Sequence, residues 1–116
     1  MTWLWLSAAT MAVTALLHSW LGERRLIGPL VNSNHGVMQH ERARKVTRFA
    51  WHFTSLLMVL SAALVAWPDT PLPLVATAGV LWLAVGLFDG IYTRGQHVGW
   101  PFLAGAGALA LIGSLG

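Results

Sequence analysis

Apolar side chains run along this chain in four long blocks, Trp3 to Leu21, Val46 to Trp67, Leu72 to Tyr92 and Val98 to Leu115. Charged side chains are almost confined to the gaps between them. A helix needs roughly 20 apolar residues to cross the hydrocarbon core of a bilayer, and each block comes close to that length. In lipid the backbone must satisfy its own hydrogen bonds, so each block reads as a helix. The pattern predicts an all-α protein, an integral membrane four-helix bundle forming a single domain over residues 1–116.

The gaps carry their own signals. Pro68-Asp-Thr-Pro-Leu-Pro73 stops the second span and starts the third, because proline lacks the donor that a helix interior needs. Pro101 falls in the first turn of the fourth span, where that loss is tolerated. Gly22 to Arg48 is the one long gap. Leu26-Ile-Gly-Pro-Leu-Val31 is apolar but interrupted by Gly28 and Pro29, and is expected to lie along the interface. Asn32-Ser-Asn-His-Gly36 is a turn cluster. From about Val37 an amphipathic helical pattern leads into the second span. The first block lacks a basic leader and a small-x-small site before His18, and so is expected to be retained rather than cleaved.

Composition supports lipid as the solvent. The chain is 56% hydrophobic and only 9% charged, against roughly 25% charged in soluble domains. Arg24, Arg25, Arg42, Arg44, Lys45 and Arg48 lie between spans one and two and Arg94 between spans three and four, whereas the opposite side carries only Asp69. By the positive-inside rule, both basic connections are cytoplasmic and the protein is N-out and C-out, with a basic cytoplasmic loop between helices 1 and 2. Trp3, Trp5 and Trp67 fall at the outer boundary and Trp20, Trp51 and Trp100 at the inner one, as an aromatic belt requires. The bilayer is the first partner, with a homo-oligomer or a larger membrane complex next. No nucleic-acid module is present. The absence of cysteine excludes disulfides, iron–sulfur clusters and thiolate chemistry.

Candidate chemistry gathers near the inner boundary. Ser7, Thr10, Thr14 and His18 share a face of the first span, and Arg48, His52 and Ser55 share a face of the second. Asp89 closes the third span and His97 precedes the fourth. At 1.5 Å per residue, His18, Asp89 and His97 come within roughly 5 Å of the inner plane and His52 within roughly 10 Å. Ionisable residues at that depth are functional candidates. His18, His52, Asp89 and His97 are expected as ligands for a transition metal, zinc, iron or copper. His18 and His52 alone are expected as axial ligands of a haem b. Glu23, His40, Glu41 and Arg48 would support either group from just below. No spacing motif backs a metal site, and no motif assembles a nucleophile, base and orienter.

His18-Ser-Trp-Leu-Gly-Glu23 and Trp51-His-Phe-Thr-Ser-Leu56 resemble segments of an uncharacterised family of small four-span bacterial inner-membrane proteins. The likeness covers the first two spans and the basic loop, about half the chain. It implies a bacterial inner membrane, singles out His18, Glu23 and His52, and carries no activity. The sequence thus leads to a redox or accessory module built on metal or haem. The alternatives are an oligomeric transporter or channel lined by the Ser/Thr/His stripe, and a structural subunit. Whether the protein is an enzyme stays open at this point.

Overall fold

The computed structural model describes residues 2–116, and all regular structure among them is helical. The first helix, α1, covers Thr2–Asn32. It is α-helical to Gly22, widens into a π-helical turn over Glu23–Ile27, and is α-helical again over Gly28–Asn32. The interruption expected at Gly28 and Pro29 is therefore absent, and the apolar stretch prolongs the helix. The Gly28 N–H reaches back five residues to the Glu23 carbonyl. Pro29 then falls at the start of the resumed α segment, where a missing donor costs little.

Glycine is required at that junction, because a Cβ on Gly28 would stand 2.7 Å from the Glu23 carbonyl oxygen. Gly28→Ala is expected to displace the π turn at a cost of about 1–3 kcal/mol, the range for overpacking. A thermal melt in mild detergent reads this directly. An unchanged midpoint would mean that the turn relaxes freely.

After α1 the chain reverses through Asn34 and Gly36, both with positive φ, and a 3-10 turn at Gly36–Gln39. Helix α2 then runs over Glu41–Ala66, α3 over Leu72–Tyr92 and α4 over Trp100–Ser114. The basic residues Arg42, Arg44, Lys45 and Arg48 ride on the first two turns of α2, on the amphipathic helical stretch expected to lead into the second span. Helices α1, α2 and α3 are long and apolar enough to cross a membrane. The 15 residues of α4 make about 22 Å of helix, short of the roughly 30 Å hydrocarbon thickness.

The helices form a flat array of 51 × 30 × 18 Å, in which α1 packs against α2 and α4, α4 packs against α3, and α2 and α3 scarcely meet. Small residues allow the close approaches. Ala8, Met11, Ala62, Val65, Val75, Ala106 and Ala110 form the main core, drawn from all four helices at the end bearing the α2–α3 turn. A second cluster at the basic end joins Ile27, Val31 and Met38, with Trp51 packed on it. The outward surface is apolar, with Leu16, Phe49, Leu56, Leu60, Phe88 and Ile91 all exposed.

Candidate functional site

Helices α1 and α2 are joined at the basic end by a continuous chain of polar side chains. Ser19 and Glu23 stand one turn apart on α1, and Arg48, His52 and Ser55 follow one another on a face of α2. The Arg48 guanidinium donates through Nε to Glu23 Oε1 at 2.8 Å and through an Nη to Oε2 at 3.1 Å. His52 Nε2 lies 3.0 Å from the same Oε1, and His52 Nδ1 lies 2.9 Å from Ser19 Oγ. The hydroxyls of Ser19 and Ser55 are 2.6 Å apart, and Ser55 is buried. Glu23 lies beyond Leu21, past the apolar run. There, hydrogen bonds from Arg48 first and from His52 second hold its carboxyl below the ordinary carboxylate range.

Trp51 braces this chain. Its ring stacks on His18 with centroids 4.1 Å apart, and its Nε1–H donates to the His18 carbonyl at 2.8 Å. Gly22 permits the approach, since a Cβ there would come within 2.1 Å of the indole. His18 Nε2 meets Thr54 Oγ1 at 2.8 Å.

The four expected ligands separate into two groups. His18 and His52 sit between α1 and α2 with different partners. Asp89 instead hydrogen-bonds His97 across the short turn joining α3 to α4. Among the described residues no group of three His, Asp or Glu side chains is placed to hold a metal ion. The donor arrangement thus does not support the shared zinc, iron or copper shell at His18, His52, Asp89 and His97. The His18–His52 haem pair fares similarly, because His52 contacts Ser19 and Glu23 through its two ring nitrogens while His18 stacks on Trp51. The reason is topological. Helix α1 lies between α2 and α4, so residues at one depth on α2 and α3 do not converge. Of the expected supporting residues, Glu23 and Arg48 belong to the polar chain, Glu41 pairs with Lys45 at 3.0 Å on the surface, and His40 is exposed.

The Ser/Thr stripe of α1 is spent on packing. Ser7 is fully buried and donates to the Ala106 carbonyl at 2.7 Å. Thr10 and Thr14 donate to carbonyls one turn back on their own helix, a habit that competes with lining a cavity.

Two clefts flank the polar chain. One, of about 350 Å³, runs between α1 and α2 and is walled by Ala15, Leu16, Phe53, Leu56 and Val59, with Ser19, His52 and Ser55 beneath them in its lining. The other, of about 470 Å³, is lined by Val31, Asn32, Glu41, Arg44, Lys45 and Arg48. Phe49 borders both. Ser19 is the member of the polar chain absent from the expected site, and its one-turn spacing to Glu23 is the signal for it in the sequence. No protein-family model, curated protein or solved structure matches the chain.

Proposed function

We propose that the protein is a multi-pass protein of the bacterial inner membrane that binds an anionic phospholipid between α1 and α2. Its basic end faces the cytoplasm, both termini face outward, and α4 completes a fourth, shorter crossing. The observation that carries the reading is the junction at Phe49 of an apolar groove with a cation-lined cleft. An acyl chain suits the first and a phosphate suits the second.

The cations are available for exchange. The Lys45–Glu41 pair is exposed on both sides, and such surface pairs contribute little. Arg44 gives one N–H to the Met38 carbonyl at 2.8 Å and keeps its remaining donors. Basic pockets between membrane helices on the cytoplasmic side are the kind of site that recognises acidic head groups, at about 1 kcal/mol per Lys or Arg.

Native mass spectrometry of the detergent-solubilised protein, challenged with phosphatidylglycerol and phosphatidylcholine, tests the reading. Phosphatidylglycerol is expected to be retained in preference. The double substitution Arg44→Ala, Lys45→Ala is expected to weaken that retention by about 30-fold, the equivalent of two such contacts. Equal retention of both lipids, indifferent to the double substitution, would defeat it.

A further inference from the structure

We propose that Ser19, His52 and Glu23 form a nucleophile, base and orienter that cleave a carboxylic ester of the lipid held in the groove. The substrate class rests on the lipid-binding reading above, whereas the chemistry rests on the polar chain itself.

The proton positions follow from the partners. Glu23 accepts two N–H bonds from Arg48 and is ionised, so the His52 nitrogen facing it must carry a hydrogen. That nitrogen is Nε2, 3.0 Å from Oε1. A neutral imidazole then has its lone pair on Nδ1, 2.9 Å from Ser19 Oγ, and the Ser19 hydroxyl donates to it. The Ser19 hydroxyl also lies 2.6 Å from Ser55 Oγ, to which it can donate; in the reactive arrangement its hydrogen turns to Nδ1 and Ser55 donates in its place. Nucleophile, base and orienter each lie within the reach that activates a serine. Such sets are recognised by geometry and not by sequence order. Here the ring nitrogens exchange duties relative to the serine protease triad, in which Nε2 faces the serine.

Substrate would enter by the groove, whose almost wholly apolar wall includes Ser19 and His52. Along α2, Arg48 stands one turn from His52, and Lys45 and Arg44 stand about 11 Å away. A phosphate held by these cations brings the glycerol esters of the same lipid, a few bonds distant, toward Ser19. In the first step Ser19 Oγ bonds to the ester carbonyl carbon and its proton passes to His52 Nδ1. The carbon–oxygen bond to the glycerol then breaks, and the leaving oxygen takes that proton. Water attacks the acyl-serine next, giving one proton to Nδ1, and Ser19 Oγ leaves and regains it. The balance is ester plus water to acid plus alcohol, with no change of oxidation state.

The test uses the full chain in mild detergent with a fluorophosphonate probe and a short fluorogenic ester. Peptide mass spectrometry is expected to place the phosphonate adduct on Ser19. Ser19→Ala is expected to abolish labelling and turnover, and His52→Gln to lower turnover by at least about 100-fold, the scale of a lost general base. Ser61→Ala, whose hydroxyl only bonds the Leu57 carbonyl, is expected to change neither. No adduct on Ser19 and no ester turnover, in protein that still retains phosphatidylglycerol, would overturn the triad and leave the binding site standing. Ser19-dependent turnover of the short ester, without any phospholipid preference, would uphold the triad and overturn the lipid as its substrate.

Discussion

Gly107→Leu is expected to force α4 away from α3 and to destabilise the protein by about 3 kcal/mol, the upper part of the overpacking range. A Cβ at Gly107 would stand 2.3 Å from the Leu83 backbone nitrogen and 2.6 Å from the Gly79 carbonyl oxygen. Both neighbours are backbone and cannot swing aside. Membrane helices rely on such approaches, because lipid offers no hydrophobic drive for one helix to prefer another, and small residues let backbones make dense contact. Two positions earlier on the same helix, Gly105 has nothing within 4 Å of a built Cβ. Gly105→Ala should therefore be neutral, or stabilising by up to about 1 kcal/mol through helix propensity. Denaturation with an anionic detergent, followed by tryptophan fluorescence, compares the two. Equal responses would show that the α3–α4 contact does not hold the array together.

Trp51→Ala is expected to cost a further distinct amount, about 3 kcal/mol, at the low end for removing a large aromatic because Trp51 is only partly buried. The indole supports Ile27, Val31 and Met38, stacks on His18 and donates to the His18 carbonyl. Without it, the end of α1 and the segment to α2 lose their common anchor. Trypsin should then cut faster at Arg24 and Arg25 in solubilised protein. Trp51→Phe retains a stacking ring and loses the hydrogen bond, and should cost about 1 kcal/mol. Protection of Arg24 and Arg25 in Trp51→Ala equal to that of the unaltered chain would place the anchor elsewhere.

Much of this architecture was legible beforehand, and the reasons are local. The blocks from Trp3, Val46 and Leu72 appear as helices α1, α2 and α3, because a long apolar run bounded by prolines, glycines and charges has one inexpensive conformation in lipid. The block from Val98 to Leu115 is longer than the helix it forms, Trp100–Ser114. Gly99 precedes the helix and Leu115 follows it, which leaves α4 short of the other three. Gly28 and Pro29 predict an interruption where the structure has none, because a π turn, which shifts the bonding from four residues to five, has no simple composition signature. Glu23, Arg48 and His52 were picked out by their charge near a boundary. Their mutual contacts were not foreseeable, since they depend on how α1 and α2 are rotated about their axes.

Depth along a helix follows from counting residues, so the sequence by itself determined that His18, His52, Asp89 and His97 lie toward one end. Neighbourhood does not follow from depth. Placing α1 between α2 and α4 was a decision of tertiary packing, helped by Gly113, where a Cβ would stand 2.4 Å from the Leu4 side chain, and by the Ser7 hydrogen bond to the Ala106 carbonyl. That packing divided the ionisable residues into two groups, Asp89 with His97 and His52 with Glu23. It also turned Ser19 toward His52, because a contact across two helices is set by their relative rotation, and rotation is chosen by the whole packed interface.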